Sequence, residues 1–408
     1  MRYSARPDDE RAVITACGAV TPCGVGVGPL VEAVFSGTSA LSTVTLQDGR
    51  CVSSGTVPPA VFQRSPNAAK TTALALAAAD ECVCNAPEDL RRELGVFVAS
   101  GKPDMHLVEQ VHEQFRAHGP ASIPPDFMSS VLPSAPGDAI AERSGCGGLR
   151  LAFVGACSTG LDCVAMAARA LRAGRVKAVI AGSAEASLTP LVVAAFERMG
   201  VLATVEPDPA RAIRPFSRDR SGFLIGEGAG VVLVETLTSA KARGVEVLAE
   251  VAGCAVVNDA HHQTNLEASG AGIAGAIRLA LAQAGLAPDE IDHVNAHGTA
   301  TRLNDAVETR GIRAALGAHA DRVKVCSTKP VTGHLLSASG SVELIVTIEA
   351  MGRGIAPPTI NLDEPDPACD LDWTPNVAVA HRVRHALVLN YGFGGHIGAV
   401  VLAHGTGR

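Results

Sequence analysis

Short apolar runs alternate with amphipathic segments along almost the whole chain. In the first half, the runs at residues 13–18, 94–99, 149–156 and 176–182 predict buried strands. The Ala-rich segment at residues 68–82 has strong helix propensity. Pro29 and Gly37 bracket a further helix, because proline is favoured in the first turn of a helix and glycine directly after its end.

The same rhythm returns in the rest of the chain. Helices are predicted at residues 190–199, 270–284, 305–316 and 339–351, and strands at residues 229–235, 247–256, 292–296, 323–326, 386–390 and 398–402. Strands that alternate with helices predict an α/β protein with a mainly parallel sheet. Because the alternation occurs twice, we expect two similar layered halves, residues 1–250 and 251–408.

Composition narrows the class of protein. A chain of 408 residues with 47% hydrophobic and 18% charged residues is long enough for two cores and is typical of a compact fold. The net charge of -7 and the aromatic content of 3% argue against binding of nucleic acid. No apolar run is long enough to cross a membrane and no secretory signal is evident, so a cytoplasmic protein is expected. The 11 cysteines lack metal-site spacing, which predicts reduced thiols and no metal.

One cysteine follows an apolar run and precedes a helix. Cys157 comes directly after residues 149–156 and is followed by small and hydroxylated residues, and residues 161–172 then have helical periodicity. Free N–H groups and the helix dipole at such a strand-to-helix turn favour a thiolate. The alternative for any single cysteine is a packing role in the core. The interpretation as a nucleophile therefore depends on the residues that accompany it.

Two further strand ends carry histidines. His297 lies where a strand gives way to a turn of glycine and threonine, and His334 follows the strand end that also carries Lys329. A lone histidine at a strand end is usually structural. However, a thiolate can accept an acyl group as a thioester, and two imidazole N–H groups can stabilise an enolate oxygen. A cysteine hydrolase needs only one histidine, oriented by Asn or Asp, so this set favours carbon–carbon bond formation.

A glycine-rich segment, residues 391–396, follows another predicted strand. Glycine lets the backbone approach a ligand closely, and a backbone N–H there can complete an oxyanion hole. The segment lacks the lysine and the Ser/Thr of a phosphate-binding loop, and the same holds for residues 226–230, which precede a strand rather than a helix. Nucleotide binding is therefore not predicted.

Taken together, the motifs resemble the β-ketoacyl-[acyl carrier protein] synthases, in the type II ketosynthase group of the thiolase-like superfamily. The matching stretches, in the family's order over residues 12–402, are Ala156-Cys157-Ser158-Thr159-Gly160, residues 215–223 running into 226–230, Ala296-His297-Gly298-Thr299, Ser327-Thr328-Lys329-Pro330 with Gly333-His334, and Gly392-Phe393-Gly394-Gly395. Each stretch alone is a weak signal, and the set is specific.

The resemblance implies a thiolase-like fold with two pseudo-symmetric βαβαβαββ halves in a five-layer αβαβα architecture. The first half would carry the nucleophilic cysteine and the second half both catalytic histidines. The implied partner is an acyl carrier protein, which brings acyl and malonyl groups on its phosphopantetheine arm, and no intrinsic cofactor is needed. A dimer is implied, either of two identical chains or with a subunit that resembles a chain-length factor.

The resemblance also implies the chemistry. Cys157 would accept the acyl chain, and malonyl-carrier protein would then lose carbon dioxide to give an enolate stabilised by His297 and His334. The backbone N–H groups of Cys157 and Phe393 would form the oxyanion hole, and Phe393 matches the gating phenylalanine. Lys329 matches the lysine that supports the histidine pair.

Five other residues match supporting positions of the family. Glu343 matches the carboxylate beyond the lysine. Thr299 and Thr301 match residues that contact the phosphopantetheine arm. Asp305 and Glu308 match an acidic pair, which we interpret as structural support.

Several departures from the family pattern bear on the pathway. Ala300, Tyr391 and Ile397 differ from the usual residues, and residues 199–206 lack two arginines that a housekeeping synthase carries near the carrier entrance. Residues 101–140, expected to shape the dimer interface and acyl pocket, match poorly. These departures, with the high alanine content, favour type II polyketide or polyene assembly over fatty-acid elongation.

Three other interpretations remain open. A non-catalytic chain-length partner would lack the nucleophilic cysteine, which this chain has. A degradative thiolase would offer a second catalytic cysteine late in the chain, and Cys369 lacks that motif context. A coenzyme-A-primed starter synthase would use a cysteine, a histidine and an asparagine. Asn390 lies directly before the glycine-rich segment and is a candidate for the asparagine. The lysine five residues before His334 argues against this class of synthase.

Overall fold

The computed structural model describes residues 1–84, 86–204 and 207–405. The strands in these ranges are β1 (Ala12–Thr21), β2 (Gly24–Val25), β3 (Ser42–Thr45), β4 (Cys51–Ser54), β5 (Gly95–Ala99), β6 (Ala178–Glu185), β7 (Gly228–Thr236), β8 (Ala249–Asn258), β9 (His293–Asn295), β10 (Lys324–Cys326), β11 (Ile355–Ala356), β12 (Val379–Ala380), β13 (His385–Gly392) and β14 (His396–His404).

The α-helices in the same ranges are α1 (Val27–Ser36), α2 (Ala60–Gln63), α3 (Lys70–Val83), α4 (Glu88–Glu93), α5 (Met105–His118), α6 (Phe127–Ser130), α7 (Ala135–Ser144), α8 (Thr159–Arg172), α9 (Pro190–Met199), α10 (Leu237–Arg243), α11 (Ala271–Ala284), α12 (Arg302–Leu316), α13 (Lys329–Thr332) and α14 (Ser339–Arg353). Short 3-10 turns join several of them.

Nine strands of the main sheet form two half-sheets with the same internal pattern. Strands β5, β6, β7 and β1 follow one another in the first, and β9, β13, β14 and β8 in the second, with β10 beyond β9. In both series the first pair is parallel and the next two pairs are antiparallel. Strands β1 and β8 pair with each other and join the half-sheets. The repeated rhythm of the sequence is therefore a repeated topology.

Helices cover and separate the half-sheets. Helices α8 and α14 pack against each other and against strands of both half-sheets, so they form a central layer. Helices α3 and α7 cover the first half-sheet, and α11, with α12 packed on it, covers the second. The result is the five-layer αβαβα architecture that the sequence predicts. The predicted boundary after residue 250 falls within β8, and the division at that residue stays a prediction.

The prediction of a mainly parallel sheet is wrong. Parallel pairing is restricted to β5–β6, β9–β10 and β9–β13 among the described strands, and the strands at the centre pair antiparallel. The hydrophobic pattern reports whether a strand is buried on both faces. It does not report the direction of the neighbouring strand, which depends on how the two halves join.

The predicted buried strand at residues 149–156 is also wrong. Its bonding to β5 is restricted to a single bridge between Arg150 and Val96, and residues 151–155 are not in a strand. Leu149, Leu151 and Val154 are exposed. This segment lies at the outer edge of the first half-sheet, where only β5 is available as a partner within the described chain.

Other predicted elements are confirmed. Helix α9 has the predicted bounds, and Gly37 ends α1 in the left-handed conformation expected of such a glycine. Residues 101–140, for which no elements are predicted, contain α5, α6 and the start of α7. No helix within the described ranges is both long and apolar enough to span a membrane.

Candidate active site

Cys157 lies in a tight turn that its hydroxylated neighbours hold in place. The 3-10 turn Ala156–Ser158 leads directly into α8. The Thr159 hydroxyl donates to the Ala156 carbonyl at 2.8 Å, and the Ser158 hydroxyl donates to Asp162 at 2.7 Å. Ala156 has a φ of 52°, which is unusual for a residue other than glycine. Such strained positions concentrate at functional sites.

The free thiol of Cys157 is protonated at neutral pH. Burial raises the pKa of Cys157 to about 11, and the ammonium of Lys102 is the charge that opposes this rise most. The expectation of a thiolate at the helix N-terminus is therefore wrong for the free protein. Desolvation of the sulfur, which sits among apolar side chains including Phe393, outweighs the favourable position.

His297 and His334 lie side by side. Their rings are 5.3 Å apart, and both side chains are buried. The turn of His297 is fixed by Glu308, whose carboxylate accepts the N–H of His297 at 2.7 Å and that of Gly298 at 2.8 Å. Nδ1 of His334 lies 2.9 Å from the hydroxyl of Ser339, the first residue of α14.

Both imidazoles are neutral. Burial lowers the pKa of His297 and of His334 well below the ordinary value, and the nearby charge of Lys329 lowers both further. A neutral imidazole carries one N–H. When the Ser339 hydroxyl donates to Nδ1 of His334, the proton of that ring is on Nε2. The pair can therefore donate hydrogen bonds without adding a positive charge.

Lys329 belongs to a buried ion pair behind the histidines. Its Nζ donates to Glu343 Oε1 at 2.5 Å, and Asn390 Nδ2 donates to Glu343 Oε2 at 2.6 Å. All three residues are buried. Asn390 bonds Glu343 and is not among the residues that line the cavity beside the thiol, so the cysteine–histidine–asparagine arrangement is not formed.

The glycine-rich segment lies against the cysteine turn. A β-carbon on Gly392 would overlap the carbonyl oxygen of Gly155, so only glycine permits this approach. The ring of the next residue, Phe393, lies 6.4 Å from that of Phe196 and packs into the same apolar cluster as Cys157. The segments that carry the backbone N–H groups of Cys157 and Phe393 are therefore in contact.

A single cavity of about 510 Å³ joins these groups. Of the residues selected from the sequence, its walls include Cys157, His297, Thr299, Thr301, His334 and Phe393. The hydroxyls of Thr299 and Thr301 are 3.1 Å apart. The other selected residues, Lys329, Glu343, Asp305 and Glu308, lie outside the cavity lining.

The acidic pair has distinct partners. Asp305 accepts the N–H of Phe216 at 2.8 Å and lies 3.6 Å from Arg220, whereas Glu308 holds the His297 turn. Burial raises the pKa of Asp305 to about 6 and that of Glu308 to about 7. Each carboxylate thus fixes backbone beside the cavity. No group of three or more His, Cys, Asp or Glu side chains in the described ranges is arranged to hold a metal ion.

The residues that depart from the family pattern lie in or near the cavity or in the core. Ala300 is buried and has a φ of 62°, a conformation that glycine adopts more easily than alanine. Tyr391 lines the cavity with its ring 5.2 Å from that of His297. Ile397 is a core residue. Gly200 and Val201 line the cavity, and residues 205–206 of the same stretch lie outside the described ranges.

The sequence pattern does not identify two groups of the site, Ser339 beside His334 and Lys102 near the thiol. Ser339 was assigned only to a helix start, and Lys102 lay in the segment without predicted elements. Lys102 Nζ donates to Glu185 Oε1 and to Ser187, both at 2.9 Å, and Ser337 donates to the second oxygen of Glu185 at 2.7 Å. Lys102 and Glu185 follow or end the adjacent strands β5 and β6, and this strand-end position is the signal that could have identified them.

Comparison with known proteins gives a consistent result over nearly the whole chain. Residues 9–240 match the family described as beta-ketoacyl synthase, N-terminal domain, and residues 248–363 match beta-ketoacyl synthase, C-terminal domain. The chain is 35% identical over 405 residues to 3-oxoacyl-[acyl-carrier-protein] synthase 2 of Synechocystis sp., covering 96% of this chain and 97% of the relative.

Two solved structures share the fold closely. One is described as AntDE:AntF, a type II PKS acyl-carrier protein in complex with its ketosynthase bound to the hexaketide, with a TM-score of 0.91, 32% identity, and coverage of 97% of this chain and 99% of that one. The other is the ishigamide ketosynthase/chain length factor, with a TM-score of 0.89, 31% identity and the same coverage.

Proposed function

The chain belongs to the β-ketoacyl synthase family, and from this premise we propose that it catalyses decarboxylative Claisen condensation of an acyl chain held on Cys157 with malonyl-carrier protein. It is an acyltransferase of the 3-oxoacyl-[acyl-carrier-protein] synthase class. The observation that carries the proposal is the convergence of Cys157, His297, His334 and the Phe393 backbone on one cavity.

The first step is thioester exchange at Cys157. The sulfur attacks the carbonyl carbon of the incoming acyl thioester, its proton leaves, and the thiol of the carrier's arm departs protonated. The N–H groups of Cys157 and Phe393 stabilise the oxyanion of the tetrahedral intermediate. Because the free thiol is protonated, proton removal accompanies attack, and the low basicity of both imidazoles keeps them available as donors for the second step.

The second step forms the carbon–carbon bond. The bond between the malonyl carboxylate and its α-carbon breaks, carbon dioxide leaves, and the electron pair passes to the enolate. Neutral N–H donors of His297 and His334 stabilise the enolate oxygen. The α-carbon then attacks the acyl carbonyl, and the carbon–sulfur bond to Cys157 breaks.

The remaining residues support this geometry. Lys329 and Glu343 hold a fixed charged pair behind the histidines, and Glu308 and Asp305 fix the backbone of the His297 turn and of Phe216. The Thr299 and Thr301 hydroxyls line the wall along which the phosphopantetheine arm would pass. The arm is the carrier of both substrates, and the mechanism uses no further cofactor.

The partners of the chain follow from its relatives. An acyl carrier protein accompanies the ketosynthase in one related structure, and a chain-length factor in the other. The exposed Leu149, Leu151 and Val154 lie at the open edge of the first half-sheet, where a second subunit would bury them. This edge is our proposal for the dimer interface, with either an identical chain or a chain-length-factor-like subunit.

Within this activity, we favour specialised polyketide or polyene assembly over fatty-acid elongation. The ammonium of Lys102 lies near the thiol and has three N–H donors, of which Glu185 and Ser187 accept two. Lys102 lies outside the cavity lining, so this argument applies to an acyl chain that extends beyond the lining to the ammonium. An oxygen atom on such a chain can accept the third N–H, whereas a fully reduced chain cannot. The departures at residues 199–206 and at Ala300 support the same assignment.

Mass spectrometry of Cys157 tests the proposal. The protein is incubated with carrier proteins loaded with alkyl, β-keto or polyene acyl groups, and malonyl-carrier protein is then added. We expect an acyl adduct on Cys157, absent in Cys157→Ala, and its release as a chain extended by one two-carbon unit. The class of acyl group that is transferred to Cys157 fastest indicates whether the chain serves polyketide, polyene or fatty-acid assembly. Absence of an adduct, both for the chain alone and with a chain-length-factor subunit, would overturn the proposed function.

A further inference from the structure

Arg302 differs from every other residue along the walls of the active-site cavity. Among the described residues that line it, Arg302 alone carries a formal charge, because both histidines are neutral. Arg302 is exposed, whereas His297 and His334 at the inner end are buried. The single positive charge of the cavity is therefore at its mouth.

The guanidinium of Arg302 has no partner in the described part of the chain. The contact recorded for this residue is through its backbone carbonyl, which accepts a bond from Arg220 at 2.9 Å. Nearby acidic groups are already committed, since Asp305 is paired with Arg220 and Glu308 with the His297 turn. A guanidinium presents a planar fork of donors that matches a phosphate group.

Arg302 lies where the phosphodiester end of a phosphopantetheine arm would be. It directly follows Thr301, and Thr299 and Thr301 line the wall between it and His297. The backbone from His297 to Arg302, five residue-to-residue steps, spans at most roughly 17 Å. A phosphopantetheine arm that reaches Cys157 with its sulfur leaves its phosphodiester, its one anionic group, toward the mouth.

We infer that Arg302 binds the phosphodiester of the phosphopantetheine arm and so positions the thioester at Cys157. This inference rests on the proposed function and adds a specific residue to it. It also accounts for the missing arginines at residues 199–206, because Arg302, which lines the same cavity as Gly200 and Val201, supplies the attraction instead. In a chain with a net charge of -7, such a local cation is needed to attract an anionic arm.

Two small thioesters that differ only in the phosphate provide the test. Acylation of Cys157 is measured with hexanoyl-phosphopantetheine and with hexanoyl-pantetheine, and the ratio of the two kcat/KM values is the readout. We expect the wild-type chain to prefer the phosphorylated thioester by roughly threefold to tenfold at low salt, as for a partly exposed charge-assisted pair. In Arg302→Ala the ratio falls to about one, and Arg302→Lys keeps part of it.

Arg175→Ala is the matched control. Arg175 is also exposed, but it follows the end of α8, roughly 20 Å along that helix from the Cys157 turn. It should keep the wild-type ratio although it loses the same charge. An unchanged ratio in Arg302→Ala would overturn the inference. If the ratio is unchanged and only acylation by whole carrier protein is impaired, Arg302 contacts the protein surface of the carrier rather than its arm. Absence of acylation by either thioester in the wild-type chain would instead contradict the proposed function.

Discussion

Gly392 lies against the carbonyl oxygen of Gly155, and a β-carbon on Gly392 would overlap that oxygen. The contact joins the segment of Phe393, from the second half of the chain, to the turn of Cys157, from the first half. The oxyanion hole that we propose takes one N–H from each segment. The proposed active-site geometry therefore requires that residue 392 has no β-carbon.

Gly392→Ala should impair acylation of Cys157 strongly. The added carbon meets backbone, which cannot move aside as a flexible side chain would, so the Phe393 segment must shift away from Cys157. We expect a loss of about 1–3 kcal/mol in the free energy of unfolding and at least a tenfold slower acylation. Thermal unfolding and adduct formation by mass spectrometry measure the two effects.

Gly275→Ala is the control for this substitution. Gly275 is in helix α11, and nothing lies within 4 Å of the position of its β-carbon. Alanine there should raise the free energy of unfolding by roughly 0.5–1 kcal/mol and leave acylation unchanged. Normal acylation in Gly392→Ala would show that the close approach is not needed for chemistry.

The charge of Lys102 should tune the thiol of Cys157. Lys102 lowers the pKa of Cys157 and Glu185 raises it, while burial sets the raised value of about 11. Lys102→Met removes the lowering charge and leaves the opposing one, so the pKa rises further and alkylation by iodoacetamide at a fixed, mildly alkaline pH slows. Peptide mass spectrometry distinguishes Cys157 from the exposed Cys51.

The double variant Lys102→Met, Glu185→Gln is the control for that experiment. It removes both charges, so alkylation of Cys157 should return toward the wild-type rate. It also avoids leaving an unpaired carboxylate in the buried position of Glu185. If the single variant alkylates Cys157 as fast as the wild-type chain at every pH, the ammonium does not act on the sulfur.

The positions of the reactive residues follow from local sequence, whereas their ionisation depends on tertiary packing. Cys157, His297 and His334 could be selected because each follows an apolar run and lies among small residues. The runs before the two histidines are the strands β9 and β10, whereas the run before Cys157 is not a strand. The ionisation of Cys157 could not be predicted, because it depends on burial and on Lys102, which comes from a distant segment. The local sequence pattern indicates which residues are reactive, and tertiary packing sets their pKa values.

The edge segment at residues 149–156 illustrates the same limit. Its leucines and valine have the composition of a buried strand, but Leu149, Leu151 and Val154 are exposed in the single chain. A hydrophobic pattern does not distinguish burial within a chain from burial against another subunit. If the proposed dimer covers this edge, the pattern was informative about the assembly rather than about the single chain.

Removal of either histidine should separate the two half-reactions. In His297→Ala and His334→Ala, acylation of Cys157 is largely retained, because the oxyanion hole for that step is backbone. Condensation is lost, because one of two enolate donors is absent; we expect at least a hundredfold decrease, by analogy with the loss of one oxyanion-hole donor. Adduct formation and product release are measured on the same samples. Condensation near the wild-type rate in either variant contradicts the enolate role.

Ser339→Ala gives a milder form of the same experiment. The variant removes the hydroxyl 2.9 Å from Nδ1 of His334 and leaves the imidazole in place. Condensation should fall less than in His334→Ala, and acylation should be unchanged. Equal effects on both half-reactions would instead indicate general damage at the start of α14.

The ion pair behind the histidines should control the pH dependence of condensation. Burial lowers the pKa of both histidines and Lys329 lowers it further, so both rings stay neutral on the acidic side of the ordinary histidine value. Lys329→Met alone would leave Glu343 as an unpaired buried charge. The double variant Lys329→Met, Glu343→Gln removes both charges and is the better test.

In that double variant the pKa of each histidine rises, because the repulsion from the ammonium is lost while burial remains. Protonation then begins at a higher pH, and the acidic limb of the pH–rate profile for condensation moves toward neutral pH. The acylation profile, which depends on Cys157, should move much less, since Lys329 acts on the thiol less than Lys102 does. An acidic limb that stays in place would show that the neutrality of the histidine pair depends on burial alone.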